Sequence, residues 1–394
     1  AARAARAGTT NRRGRRGRLM TKGAADWLQE LQDLGIETPL RIMNVCGGHE
    51  RSISSAGLRT IIPANVELVP GPGCPVCICP EEDVYEAIQL ALNEDIVLVA
   101  FGDMLRVPVN VPRREPRSLE QAKAAGADIR PIASPTEAVR IATEDPTRTV
   151  VFFAAGFETT TAPVASMLAE GAPDNLLVLL SGRLTWPAVA MLLNSGKPGF
   201  DALVAPGHVA TVMGPEEWEF VVADHDIPAA VAGFTPDSLL AAMYSVMRQL
   251  RDGRHFLDNC YPQVVRPGGN EEARRQLDAV MEVVDANWRG IGIIPKSGFA
   301  LREAYAAHDA RQRFRSYADA SRKRVGEMPP GCDCAQVVLG KIYPNQCRLY
   351  GQGCTPRKPI GPCMVSDEGA CRIWWSSGMR ENEWAGREKD TVNG

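Results

Sequence analysis

The chain has 394 residues and is 45% hydrophobic, which allows a large core and two or three domains. Its longest apolar runs, such as TVVFFAAGF at 149–157, are too short to cross a bilayer, so a soluble protein with no membrane partner is expected. Net charge is −3, but residues 1–18 carry seven arginines and no acid; removing that +7 leaves −10 on the rest, which argues against nucleic acid as a partner.

The Arg-rich head has no apolar stretch of the signal-peptide kind and reads as a disordered extension over residues 1–20, with Met20 as the natural start. Eleven cysteines without a secretion signal disfavour a disulfide framework. A reducing, cytoplasmic setting is expected, with thiols free for metal or chemistry.

From about residue 41 the chain alternates short apolar runs with amphipathic stretches. The runs are RIMNV (41–45), VELV (66–69), IVLVAF (96–101), IRPIA (129–133), TVVFFAA (149–155), LLVLL (176–180), ALVA (202–205) and IPAAVAG (227–233). Stretches such as PEEDVYEAIQLALN (80–93) and PTEAVRIATED begin with Pro and acids, as helix starts do. The pattern predicts an α/β fold of parallel strands covered by helices. Eight strands are many for one sheet, so two small parallel-sheet domains are expected, at 21–128 and 129–235. After 235 the strand signal fades. EEARRQLDAVMEVVDANW and its neighbours read as helical, and 236–394 reads as a mostly helical, cysteine-rich third domain.

Polar chemistry falls where the predicted strands end: Cys46 and His49 in CGGH, Cys74 and Cys77 in GPGCPVC, Asp103, Glu158 with Thr159 and Thr160 in GFETTT, and His208 in PGH. Parallel sheets bind ligands beyond the carboxyl ends of their strands, so these turns are expected to share one crevice. Alone, each is a common glycine-bordered turn. No GxGxxG follows a strand and no GxxxxGK[ST] occurs, so a nucleotide site is not supported.

Cys74-Pro-Val-Cys77 precedes a predicted helix start at Pro80, where the helix end favours thiolate and Glu81, Glu82 and Asp83 oppose it. The pair suits disulfide exchange or an open thiolate metal site. Cys79 and Cys260 read best as small core residues. Residues 332–371 hold six more cysteines, 332, 334, 347, 354, 363 and 371. That density predicts a metal, and the spacings match neither a compact ferredoxin run nor a zinc ribbon, leaving a four-thiolate iron–sulfur cluster and zinc both open. The absence of CxxxCxxC disfavours radical SAM chemistry.

Taken together, CGGH, GPGCPVC, GFETTT, PGHVATVMG, WRGIGIIPKSG and CTPRKPIGPCMVSDEGAC resemble the HypD family of [NiFe] hydrogenase maturation factors over about residues 22–377. The resemblance implies two small parallel-sheet, Rossmann-like domains around a cleft, serving as a scaffold that, with a small HypC-type chaperone, assembles the Fe(CN)₂CO group from cyanide delivered by a HypE-type partner. It implies Cys46, Cys74 and Cys77 as iron or redox thiols, with His49, Glu158 and His208 lining their cleft. It further implies a [4Fe-4S] cluster on Cys332, Cys347, Cys354 and Cys371, with Cys334 and Cys363 as alternates. Two departures stand out: Arg51 replaces the second His of the family's CGxHxH, where it could hold an anion such as cyanide, and Cys79 is an additional thiol.

The expected mechanism has Fe(II), carrying CO and cyanide ligands, on soft thiolates from Cys46 and Cys74 or Cys77, the cluster as electron source, and His49 and Glu158 as proton carriers. The rival is a thiol–disulfide oxidoreductase working through Cys74–Cys77; a third possibility is an interaction scaffold with structural zinc.

Overall fold

The computed structural model of the chain describes residues 22–322 and 328–380. The Arg-rich head lies outside the described residues. Each of the eight apolar runs forms a parallel strand: β1 (Leu40–Asn44), β2 (Val66–Pro70), β3 (Ile96–Phe101), β4 (Ile129–Ile132), β5 (Thr149–Gly156), β6 (Leu176–Gly182), β7 (Ala202–Pro206) and β8 (Ala229–Ala232). A short β9 (Leu257–Asn259) follows, then the antiparallel hairpin β10 (Met281–Trp288) and β11 (Gly292–Leu301).

The strands divide into a five-stranded sheet of order β2-β1-β7-β8-β9 and a four-stranded sheet of order β4-β3-β5-β6, all parallel. Two sheets were expected, but they are not the consecutive blocks 21–128 and 129–235. The chain starts the first sheet, builds all of the second, then returns to finish the first. Apolar periodicity is the same in both sheets, so it cannot show where the chain changes sheet. Long-range contacts do: Arg41 N–H donates to Asp201 Oδ2 at 2.8 Å, beside the register Ile42↔Ala202.

Both faces of each sheet are covered, which is why the strands are apolar throughout. On the first sheet, Ile42, Leu68 and Val204 pack with Trp27, and Met43, Val69 and Leu203 face the other way. The helix Pro236–Asp252 belongs to this sheet, burying Leu239, Met243 and Val246 on it. Its ends are well specified: Thr235 Oγ1 caps the Ser238 amide, Pro236 opens the first turn, and Gly253 closes it at φ 59°.

The expected helix over EEARRQLDAVMEVVDANW is half right. Glu271–Val280 is helical, but 281–288 pairs with 292–301 as a hairpin, turning at Gly290 and Gly292, both at positive φ. Its tip docks under the CPVCIC turn: Arg289 N–H donates to the Ile78 carbonyl (3.0 Å), and the buried Arg289 guanidinium reaches Pro108 O (2.6 Å) and Glu81 (3.3 Å). One face of the second sheet, including Leu98, Val151 and Phe153, shares a single core with the cysteine-rich segment after residue 330. Among the described residues no helix is long and apolar enough to cross a membrane.

Candidate functional site

Strand register assembles the site. β1 and β2 end side by side (Asn44↔Pro70), so CGGH and GPGC leave the first sheet together. Gly47 N–H donates to Gly73 O at 3.0 Å, and Gly73 lies so close to the Cys46 backbone that any Cβ there would collide with it. Cys46 and Cys74 consequently line one small cavity, with Asn44, Glu50, Cys363 and Glu368 on its other walls. Gly47 is likewise required because the Glu368 backbone presses against it.

Cys74 and Cys77 form a disulfide. The CxxC does not simply precede the helix expected from Pro80: it has its own helical turn, Pro75–Ile78, with Cys74 at the cap and Cys77 N–H donating to Cys74 Sγ (3.2 Å). The longer helix, Glu81–Asn93, starts after Pro80. Cys79 is buried, 3.5 Å from Ser181 Oγ.

Burial, reinforced by the Glu368 charge, pushes the Cys46 thiol up to about 12. Glu368 is itself raised to about 7, by desolvation first, then by Asp103 and Asp367, with Arg51 opposing. Asp103 thus joins the Cys46 region through the 366–369 loop; desolvation raises its carboxyl too. Arg51 pairs with Asp367 Oδ2 (3.1 Å) and donates to Asp367 O (3.1 Å), holding that loop against the CGGH helix Gly47–Ser55.

β7 and β8 also end together (Pro206↔Ala232), which brings His208 beside Phe234. The imidazoles of His49 and His208 both pack on the Phe234 ring, with centroids at 5.0 and 3.8 Å. The same ring covers Gly48, next to Cys46 Sγ. His49 is fully buried, and desolvation lowers it to about 4, so it is neutral at pH 7. Its Nε2 lies 3.1 Å from the Ala232 carbonyl, which accepts; Nδ1 is then a bare acceptor with no partner among the described residues.

Glu158 sits elsewhere. β5 and β6 end at Gly156↔Gly182, which sets it against Thr185: the Thr185 N–H and Oγ1 lie 2.6 and 2.7 Å from its two oxygens. Full burial raises it to about 7. It belongs to the second sheet, and it does not line the Cys46–Cys74 cavity. Thr159 and Thr160 open the same helix, Glu158–Ala169.

The six C-terminal cysteines share one core cluster. Cys332 and Cys334 sulfurs are 3.3 Å apart over Gly361, where no Cβ would fit. Cys363 hydrogen-bonds with both Cys334 and Cys371, and together these bonds favour a thiolate on Cys363. Amides point at sulfur: Cys371 N–H to Cys363 (3.3 Å) and Ile360 N–H to Cys354 (3.3 Å). Cys347 and Cys354 flank the group, each feeling the charge of Cys332. Soft, buried donors with amide bonds to sulfur fit the chemistry of an iron–sulfur cluster. As they stand the sulfurs are packed thiols: among the described residues no three His, Cys, Asp or Glu side chains are already arranged as metal ligands.

Sequence reasoning missed Glu50, Phe234 and the role of Glu368. Glu50, 2% exposed, accepts from Trp374 Nε1 (2.7 Å), Arg59 Nη2 (2.8 Å) and Asn44 Nδ2 (3.1 Å). It joins the CGGH helix to the helix Ala370–Ser376 that carries Cys371. Its position one turn after Cys46 was the only sequence signal.

Residues 22–378 match the HypD model, described as the hydrogenase formation hypA family. The chain is 41% identical over 350 residues to "Hydrogenase maturation factor HypD2" of Bradyrhizobium diazoefficiens, covering 86% of this chain and 90% of the relative. It is 38% identical over 351 residues to "Hydrogenase maturation factor HypD" of Escherichia coli, covering 88% and 91%. A putative hydrogenase expression/formation protein of Methanocaldococcus jannaschii is 37% identical over 363 residues, covering 91% and 97%.

Proposed function

We propose, from the premise that the chain belongs to the HypD family and acts in hydrogenase maturation, that it is the scaffold on which one iron acquires its cyanide and CO ligands. The observation that carries this is the convergence of Cys46 and Cys74 on one buried cavity from adjacent strand ends. Iron is the cargo, and soft thiolates suit it.

Two preparatory steps follow from the chain's own chemistry. Cys46 is a neutral thiol at pH 7 and must lose a proton to bind metal. Glu368, raised to about 7 on the same cavity, is the base placed to take it. The Cys74–Cys77 disulfide must be opened by two electrons and two protons, giving two thiols, before either sulfur can serve. His49 offers Nδ1 as a second proton acceptor one helical turn from Cys46. Glu158 and His208 act at a distance: Glu158 from the second sheet, His208 through Phe234.

Cys332, Cys347, Cys354 and Cys371 would hold a [4Fe-4S] cluster, with Cys334 and Cys363 as the remaining pair. When bound, it supplies electron storage inside the core that also contains the CxxC. A HypC-type chaperone and a HypE-type cyanide donor are the partners of this reading, in the cytoplasm.

A second reading, a thiol–disulfide oxidoreductase, is favoured by one observation: Cys363 belongs both to the C-terminal thiol group and to the wall of the Cys46–Cys74 cavity. The test is anaerobic purification with the small partner, followed by infrared spectra and iron and acid-labile sulfide analysis. Cys46→Ala and Cys74→Ala should each abolish the cyanide and CO bands. Bands that persist in either variant end the scaffold reading; disulfide turnover without low-molecular-weight iron favours the second.

A further inference from the structure

A cavity of about 600 Å³ lies away from the sulfur sites, between the helix Glu81–Asn93, the end of β6, the hairpin β10–β11 and the helix Arg315–Arg322. That volume is in the range of small-molecule sites. Its floor is ionic and balanced within itself. Arg311 donates to Asp83 (2.7 Å) and Glu86 (3.1 Å), and Arg183 lies 3.6 Å from Asp83. Two carboxylates thus face two guanidiniums. Among the described lining residues, what remains is Glu82, Asp285, Asp309 and Asp319 against Arg315, an excess of negative charge.

A second, independent feature points to a ligand. Ser321 lines the cavity, is 2% exposed, and its hydroxyl has no partner among the described residues. Glu82 Oε1 accepts from Asn287 Nδ2 (2.6 Å), but its Oε2 is buried without a donor among the described residues. Buried polar groups in folded proteins are almost always satisfied, and those that are not call for a missing partner. The bare carboxylate oxygen calls for an N–H donor, preferably a charged one. Leu180, Phe299 and Leu301 supply an apolar wall beside it. A bare metal ion is the wrong occupant: among the described residues no ligand set for one exists, and the wall is hydrocarbon.

We infer that this cavity binds an organic cation, an alkyl ammonium or guanidinium, with its head on Glu82 and Ser321 and its carbon chain on the apolar wall. The chemistry is shared by a free amine and by a Lys or Arg side chain of a docked protein. The helix it engages starts directly after the CPVCIC turn, and Ser181 Oγ, donating to Asp83 at 2.6 Å, links that floor to Cys79.

Isothermal titration calorimetry on the full chain tests this, with agmatine and putrescine as cations, glutarate as an anionic control of similar length, and N-acetyl-arginine amide standing for a protein side chain. Agmatine or putrescine should bind one to one. Glu82→Gln should weaken that binding at least about tenfold, the scale of one charged hydrogen bond, and Ser321→Ala should weaken it several-fold. Preference for agmatine over the blocked arginine identifies a free amine; the reverse identifies a protein side chain. Asp319→Asn, at an exposed position, supplies a further variant should Glu82→Gln fail to fold, and it too should weaken binding. No cation binding up to millimolar concentration, binding unchanged in the folded variants, or tighter binding of glutarate overturns the inference.

Discussion

Replacing Glu50 by leucine keeps most of the side-chain volume and removes the carboxylate that joins the CGGH helix to the Cys371 helix. Arg59, 7% exposed at its side chain, then loses the carboxylate it pairs with and Trp374 Nε1 loses its acceptor, while Asn44 Nδ2 keeps only the Val69 carbonyl. Breaking a buried pair from one side costs about 3–5 kcal/mol, so Glu50→Leu should lose about 4 kcal/mol. Arg59→Met, which leaves the carboxylate with its other donors, should lose about 3 kcal/mol. The double variant should lose far less than the sum, about 4 kcal/mol, because the charge that made each single change expensive is gone. Urea titrations followed by tryptophan fluorescence read all three through their midpoints. A loss below about 1 kcal/mol for Glu50→Leu, or additivity in the double variant, would refute the view that this network ties the two helices together.

Other outcomes follow from the same geometry. Glu368→Gln removes a negative charge beside Cys46, which lowers the Cys46 pKa from about 12; iodoacetamide labelling of Cys46 at pH 8 should accelerate, as read by mass spectrometry. Glu158 is raised from 4.5 to about 7 in the folded state, so its contribution to stability is fully present below about pH 4.5 and lost as pH rises through 7, by about 3 kcal/mol. Glu158→Gln should flatten that part of the stability–pH curve; an unchanged slope would count against the burial argument. Gly73→Ala forces a methyl into the Cys46 backbone, so iron retention by the anaerobic protein should fall together with thermal stability, whereas Gly102→Ala, with open space around it, should leave both unchanged.

Much of the fold was legible in the sequence for a simple reason. A strand buried on both faces must be apolar throughout, and IVLVAF or TVVFFAA ended by Gly advertises itself. The meeting of Cys46 with Cys74 was legible too, since both follow strands that prove to be neighbours. Sheet membership was not, because a crossover that stays in its sheet and one that leaves it look alike in sequence. The hairpin was hidden by a helix running straight into a strand at Val280–Met281, although the alternation that follows and the Gly290 and Gly292 turn carried a signal. Glu368 and Phe234 depend on contacts across nearly two hundred residues or more, which no local pattern encodes. Glu158 was expected in the thiol crevice because GFETTT ends a strand, but that strand belongs to the other sheet.

The chain passes between the two sheets twice, over 70–96 and 182–202, and a third segment, 259–281, runs from the first sheet to the hairpin that packs against β6 of the second. A body held at three points resists tilting in every direction, so wide clamshell opening would have to bend all three ties at once. Access to the sulfur pocket must come instead from small local rearrangement, and the first tie contains the CPVC turn itself. The Cys74–Cys77 sulfur–sulfur bond lies within that tie, so opening it would loosen the frame at the wall of the pocket itself.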